Sequence, residues 1–237
     1  MTDLGVFTFH LVEMPATAAL PLLLRPPEQH DVVGLRYAEC LSLMRLGAPT
    51  VSPDRLQLRR LAMFARWDDE AAIENFLGGT GERFASGWHV RMTFLRRWSR
   101  LAVLPDLPQQ ADTADDEEPV VAVTLARMRL PEVPRFLTWG KPVERLVRDD
   151  PNVTLALAAM RPPRSISTFS IWRSVRAMTD MVHGHSDVDK PTRHADAMAE
   201  RRRRDFHHEF ATYRFRPMSE HGSWNGHTGY VPRRSSL

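Results

Sequence analysis

Histidine is the residue type of this chain best able to do chemistry, and its distribution is uneven. Seven of the ten histidines fall at or after position 183, namely His183, His185, His194, His207, His208, His221 and His227. Neutral imidazole is the commonest metal ligand in proteins. A zinc site made of His183, His185 and His194 is one hypothesis. No carboxylate or cysteine completes a familiar zinc spacing around them, and Cys40 is the single cysteine.

His194 has the most informative surroundings of these histidines. The stretch "DVDKPTRHADAMAERRRRDF" predicts a helix with Asp189 as its cap and Pro191 in its first turn. Met198 and Arg201 would share the helix face of His194. A histidine beside soft side chains and an arginine suits a flat ligand with an acidic edge, and haem fits that description. The alternative is a surface or partly buried histidine without a ligand.

The chain contains two similar copies of a segment that is predicted to form a strand followed by a helix. Phe64 and Trp67 of "MFARWDDEAAIENFLGG" recur as Phe169 and Trp172 of "TFSIWRSVRAMTDMVHG", at an offset of 169 − 64 = 105 residues. Both segments predict a strand that runs into a helix. Alternation along the strands places the two phenylalanines on one sheet face and the two tryptophans on the other. We expect all four side chains to fill the core.

The order of predicted elements is the same in both halves. In the first half, strands are predicted at 5–12, 35–43, 58–67 and 99–107, with helices at 16–25, after 69, and at 82–97. In the second half, strands are predicted at 119–130, 151–160, 165–172 and 209–218, with helices at 131–148, 174–182 and 191–205. Each half therefore has the order of a split β-α-β unit. Facing sheets would leave a closed space for a large apolar ligand, either between them or beneath the helices.

These patterns predict an α+β protein made of tandem ferredoxin-like repeats that form a dimeric alpha-beta barrel-type fold. The predicted boundaries are 1–108 for the first repeat, 109–118 for an acidic, solvated linker, and 119–237 for the second repeat with the ligand site.

Composition argues against two other classes of protein. The net charge is +3, but 30 of the 32 basic residues are arginine and they lie among 29 acidic residues. The dense run from Arg201 to Arg204 falls in a predicted helix, so a solvated helix face is favoured over a groove for nucleic acid. No run of 18 apolar residues is present, so we expect no membrane span and a cytoplasmic location.

The second half resembles the spheroidene monooxygenase family of dimeric alpha-beta barrel proteins. Four stretches carry the resemblance in order over residues 118–232: "PVVAVTLARMR", "TFSIWRSVRAM", "RHADAMAERRRRDFHHEFATYRFRP" and "GSWNGHTGYVP". The first half matches more weakly, through "GLRYAECLSL" and "FARWDDEAAIENF". Two departures are the turn "AAMRPPRSIS" and Phe206, which stands where the family has tryptophan.

The resemblance implies haem b as cofactor and oxygenation of a hydrophobic small molecule in secondary-metabolite biosynthesis. It implies His194 as the axial ligand of the iron. The other candidates for cofactor binding are Met198, Arg201, Arg173 and Trp224, and the candidates for catalysis are His185, His183 and Ser170. Expected partners are a small hydrophobic substrate, an electron donor such as ferredoxin, or peroxide instead, and a second copy in a homodimer.

Two other functions remain open from the sequence. The first is haem-dependent dehydration of an aldoxime-like substrate. The second is a cofactor-free barrel that binds a small ligand, in which case His194 would be structural. A haem absorption spectrum would separate the second function from the other two.

Overall fold

The computed structural model describes residues 4–45, 56–185 and 192–233, without the side chains of residues 137, 140–142 and 193–195. Its strands are β1 (Val6–Glu13), β2 (Leu35–Met44), β3 (Leu56–Trp67), β4 (Trp88–Trp98), β5 (Val120–Met128), β6 (Val153–Arg161), β7 (Ser165–Trp172) and β8 (His207–His221). Its helices are α1 (Ala16–Leu24), α2 (Glu70–Leu77), α3 (Glu82–Ala85), α4 (Val133–Asp149), α5 (Val175–His183) and α6 (Arg193–Arg203). Among the described residues, no helix combines the length and apolar character needed to cross a bilayer.

The strands form one closed antiparallel barrel in the order β1-β3-β2-β6-β7-β5-β8-β4, and β4 pairs back onto β1. The first half has the order β4-β1-β3-β2 and the second half has the equivalent order β8-β5-β7-β6. This order confirms the expected tandem ferredoxin-like repeats in an α+β fold. The repeats join edge to edge, through β2 with β6 and through β4 with β8. The domain boundaries at 108 and 119 stay a prediction.

The repeated strand-to-helix segments have the predicted faces. Phe64 and Phe169 point into the barrel core, whereas Trp67 and Trp172 lie outside the barrel, under the helices. The residue two positions after each tryptophan caps the following helix, and its side-chain oxygen accepts a hydrogen bond from the helix backbone. Oδ1 of Asp69 accepts from the amide of Ala72 at 2.8 Å. Ser174 makes the equivalent cap on α5.

Aromatic side chains fill the barrel interior. Phe9 of the first repeat stacks on Phe169 of the second, with ring centroids 3.9 Å apart. One end of the barrel is covered by apolar residues of the segment after β4, and the other end by Trp224 and Tyr230. The interior is therefore a packed core, so a large ligand has to bind on the outer side of the sheet.

The predicted helix at 82–97 and the strand at 99–107 were wrong. Only Glu82–Ala85 is helical, and β4 occupies Trp88–Trp98. The stretch carries a helix-like pattern, but in β4 Arg91 is buried, and Glu70 and Glu74 of α2 pair with its guanidinium group. Residues 99–107 instead cross the end of the barrel and bury three leucines in its core, Leu101, Leu104 and Leu107.

The acidic segment after Leu107 is docked on the barrel although it is mostly exposed. Gln110 forms an isolated β-bridge with Arg96 of β4. The strand β1 pairs with β4 from Trp88 to Met92, so the bridge lies beyond the part of β4 that β1 covers. Asp112 and Glu118 both pair with Arg216 of β8. Long-range ion pairs thus fix a segment whose composition is typical of a solvated linker.

Candidate functional site

The outer sheet face of the second repeat carries small side chains and is incompletely covered. Thr168 of β7, Thr124 of β5 and Thr212 of β8 are cross-strand neighbours in one row. Their chain neighbours on the same strands, such as Phe169, belong to the barrel core, so the threonines point outward. Thr168 is exposed, although its strand lies between two others. We call this surface, made of Ala122, Thr124, Ala156, Thr168 and Thr212, the open face.

The first repeat serves as an internal comparison. At the offset of 105 residues, Thr168 corresponds to Met63, which is 0% exposed beneath the helices α1 to α3. Leu61 is likewise fully buried, whereas its counterpart Ile166 is only half-buried. The same structural unit therefore seals its sheet in the first repeat and leaves it accessible in the second. The open face is the candidate binding site.

Two arginines and a tryptophan lie at one side of the open face. Arg96 and Arg214 are direct cross-strand partners on β4 and β8, and Arg214 is also opposite Ala122. Both guanidinium groups stack on Trp98, with Cζ 4.3 Å and 4.6 Å from the ring centroid. Burial, together with the neighbouring Arg96, lowers the pKa of Arg214 to about 10.

A buried histidine lies further along β8, on the side where the helices α4 and α6 pack. His207 is 4% exposed and its ring contacts Phe136, Phe206 and Phe210. Its Nδ1 lies 3.2 Å from Oδ1 of Asp205, whereas its Nε2 has no hydrogen-bond partner within the described residues. Burial lowers the pKa of His207 to about 4, so the ring is neutral at pH 7.

The tautomer of His207 follows from its partner. Burial raises the pKa of Asp205, but the hydrogen bond from the His207 backbone and the nearby Arg201 lower it to a net value below its ordinary one. An ionised carboxylate only accepts hydrogen bonds, so Nδ1 carries the ring proton and donates it to Asp205. The lone pair on Nε2 is then available to take a proton or to bind a metal.

Helix α6 carries three of the predicted cofactor residues. It begins at Arg193, later than predicted, and Asp189 and Pro191 lie outside the described residues. The backbone of His194 is in this helix, but its side chain is outside the described part. Met198 is half-buried. Arg201 stacks on Phe210 with Cζ 3.7 Å from the ring centroid, and its Nε lies 3.5 Å from Oδ1 of Asp205.

The remaining predicted site residues lie in different places. Ser170 is on the outer face of β7, and its Oγ accepts a hydrogen bond of 2.8 Å from Nε1 of Trp172. His183 and His185 are exposed at the end of α5, with ring centroids 6.3 Å apart. Arg173 is also exposed.

Trp224 is buried at the barrel end, under the guanidinium of Arg60. No cluster of three or more metal-ligating groups is found in the part of the chain that the structure describes. The role of each predicted site residue stays a prediction.

Sequence reasoning missed the functional candidates Arg96, Trp98 and Arg214. Their signal was weak, because residues 82–97 resembled a helix and two distant strands have to pair before the arginines meet. His207 had a clearer signal, since adjacent residues of a strand, such as His207 and His208, point to opposite faces. The structure buries the first and exposes the second.

The fold is a closed barrel of tandem ferredoxin-like repeats, and the open face is a candidate ligand site on the outer side of its sheet. No family model matches the sequence. Spheroidene monooxygenase from Rhodobacter capsulatus is 30% identical over 125 residues, which are 52% of this chain and 49% of that protein. The match thus spans about half the length of the curated relative.

Two solved structures are similar to this chain to different degrees. An aldoxime dehydratase in complex with butyraldoxime superposes with a TM-score of 0.57 and 8% identity, over 100% of this chain and 88% of the other. A second aldoxime dehydratase structure gives a TM-score of 0.46 and 8% identity, over 90% of this chain and 81% of the other. The first of these likenesses shows the fold alone.

Proposed function

We propose that this chain is a haem-dependent enzyme of the monooxygenase type that acts on a hydrophobic small molecule in secondary-metabolite biosynthesis. The observation that carries the proposal is the open face, since Thr168 is exposed there whereas its counterpart Met63 in the first repeat is fully buried. The match to spheroidene monooxygenase lies over half of the chain and supports the reaction class. Haem b, when bound, would supply the oxygen or peroxide chemistry that protein side chains lack.

The residues on the outer side of the second repeat fit such a group. A flat macrocycle needs a floor without bulky side chains, and threonine and alanine provide one on the open face. It needs a neutral imidazole, and His207 offers a buried Nε2 without a partner. It also needs cations near its acidic edge, and Arg96 and Arg214 lie at one side of the open face.

We retain His194 as the proposed axial ligand, because the resemblance assigns that role to the histidine of the late helix. His207 is the second candidate, since Asp205 orients its ring as second-shell carboxylates orient metal-binding histidines. If His194 binds the iron, the neutral ring of His207 offers Nε2 as a hydrogen-bond acceptor, because burial lowers the pKa of His207 to about 4 and makes it a weak base at pH 7. Phe136, Phe206 and Phe210 would keep water away from that atom.

Absorption spectroscopy tests the proposal. Purified chain is titrated with haemin, and ferric and ferrous-CO spectra are recorded for the wild type, His194→Ala and His207→Ala. His208→Ala is the matched control, because His208 is exposed next to His207. We expect the wild type to saturate with a Soret band, His194→Ala to lose the spectrum of imidazole ligation, and His208→Ala to behave as wild type.

Each other outcome has a definite meaning. If His207→Ala and not His194→Ala loses imidazole ligation, the axial role belongs to His207. If the wild type develops no Soret band, haem dependence is refuted and the cofactor-free ligand-binding barrel takes its place.

Dehydration of an aldoxime-like substrate is the second candidate reaction, favoured by the full-length likeness to an aldoxime dehydratase fold. Mass spectrometry of products distinguishes the two reactions. Incubation with a hydrophobic test substrate such as a carotenoid, and with either dioxygen and reduced ferredoxin or peroxide, should add one oxygen atom to the substrate and release water. Incubation with butyraldoxime should remove one water molecule if the chain is a dehydratase.

The expected homodimer and cytoplasmic location also remain proposals. The barrel closes within one chain, so its core does not need a second copy. Light scattering of the purified chain, with and without haem, measures the oligomeric state directly.

A further inference from the structure

Arg96 and Arg214 concentrate positive charge at one place on the barrel. They are directly opposite each other in the ladder between β4 and β8. Like charges in this position repel and destabilise a sheet. Among the described residues, neither guanidinium lies within ion-pair distance of a carboxylate, and Nε of Arg96 is buried without a hydrogen-bond partner.

Most other partly buried arginines among the described residues are paired with a carboxylate, whereas Arg97 donates to the backbone carbonyls of Leu107 and Ser99. Carboxylates within 3.3 Å compensate Arg66, Arg91, Arg127, Arg135, Arg161 and Arg216. The fold therefore places acids beside buried guanidinium groups as a rule. The pair on Trp98 departs from that rule, and a pair of charges left without compensation is typical of a site for an anion.

The position of the pair connects it with the open face. Arg214 is in the same cross-strand row as Ala122 and Ser170, and Trp98 is in the same row as the threonines. A flat ligand that lies on the open face would have one edge beside these guanidinium groups. Trp98 holds both side chains through cation-π contacts, which orders the donors before a ligand arrives.

We propose that Arg96 and Arg214 bind the carboxylate edge of the ligand on the open face. The inference rests on the proposed function, in which that ligand is haem and the carboxylates are its propionates. Arg201, the residue predicted for this task, lies near Asp205 and stacks on Phe210. Arg173 is exposed and directly follows Trp172 in the chain.

The experiment compares ligands with and without carboxylates. Protoporphyrin IX without iron and its dimethyl ester are titrated into the wild type, Arg96→Gln, Arg214→Gln and the double variant. Arg202→Gln is the control, because Arg202 is exposed on α6. We expect the double variant to bind protoporphyrin IX about tenfold to a hundredfold more weakly, as the loss of charge-assisted hydrogen bonds predicts. Its affinity for the dimethyl ester should equal that of the wild type.

A second measurement excludes a merely structural role. Without ligand, the double variant should be as heat-stable as the wild type or more stable, because one pair of like charges is removed. The proposal is overturned if the variant binds both porphyrins equally more weakly, if its affinity does not change, or if the wild type binds neither. The iron-free probe separates this result from the proposed function. If protoporphyrin IX binds but haemin shows no axial ligation, the anion site stands and the enzyme assignment fails.

Discussion

Replacing Glu39 with glutamine should weaken the junction at which β2 of the first repeat pairs with β6 of the second, which we call the seam. Glu39 is 2% exposed in β2 and accepts hydrogen bonds from Arg127 of β5 and Arg161 of β6, at 2.7 to 3.1 Å. Tyr37 donates to the same carboxylate at 2.9 Å. The backbone ladder between β2 and β6 is short and runs only from Ser42 to Met44. This carboxylate therefore joins three strands from both repeats where few backbone bonds do.

The size of the effect follows from burial. Removing one partner of a buried ion pair costs about 3–5 kcal/mol. The side chains of Arg127 and Arg161 are 27% and 24% exposed, so water can solvate their unpaired guanidinium groups and offset part of the destabilisation. We expect Glu39→Gln to lower the free energy of unfolding by about 2–4 kcal/mol, which corresponds to a lower urea midpoint by about 1 M.

The pH dependence has a definite sign. Burial raises the pKa of Glu39, but hydrogen bonds and charge from the two arginines hold it below its ordinary value. The contribution of Glu39 is therefore fully present above the unfolded-state pKa and is lost as the pH falls through the lower folded-state pKa. The difference in stability between wild type and Glu39→Gln should be constant near pH 7 and should shrink in acid.

Urea unfolding followed by tryptophan fluorescence measures both effects, with Glu13→Gln as the matched control. Glu13 pairs with Arg60 at 2.6 Å, but its side chain is 64% exposed, so its loss should cost less than about 1 kcal/mol. If the two variants lose equal stability, or if the difference for Glu39→Gln is independent of pH, the buried carboxylate does not hold the seam.

Three further predictions concern the open face, the histidines and the barrel end. Thr168→Met places on the open face the residue type found at the equivalent buried position of the first repeat, Met63. Porphyrin affinity should then fall at least about tenfold while the urea midpoint stays the same. The control Thr168→Ser should bind porphyrin as the wild type does. The rings of His10, His89 and His221 stack in a row, and burial lowers the pKa of His89 to about 4. Unfolded chains then bind more protons, so stability should fall as the pH drops from about 6.5 to 4, and His89→Gln should flatten that fall by about 2 kcal/mol in urea titrations across this range; an unchanged slope would contradict the buried neutral ring. Glu220 accepts hydrogen bonds from Nε1 of Trp88 and from the amides of residues 229–231. Glu220→Ala should therefore lower the free energy of unfolding by about 2–4 kcal/mol and speed hydrogen exchange of residues 224–231. The control Glu117→Ala, at an exposed position, should leave hydrogen exchange unchanged.

Much of the fold was predictable because it is encoded locally. Alternation alone assigned Phe64 and Phe169 to one face and the tryptophans to the other, and β7 has the predicted bounds, Ser165–Trp172. The error at β4 also has a local cause. Arg91 has a charge that suggests solvent, and only its pairing with α2 makes burial possible.

The candidate site was predictable only in part. Helix α6 and its histidine followed from periodicity and from the resemblance, and the roles of His194, Met198 and Arg201 stay predictions. Alternation separates His207 from His208, but which of the two is buried was not predictable, since residues of α4 and of the α6 to β8 connection surround His207 only after folding.

The sequence by itself determined the repeated unit, the residues that face the core, and the helices that follow each repeated strand, because these depend on spacing within a few residues. The tertiary structure alone decided that the second repeat leaves Thr168 exposed where the first buries Met63, and that Arg96 meets Arg214. Residues far apart in the chain create both features. Whether a sheet face is covered, and whether a charge finds its partner, depends on which distant elements pack there.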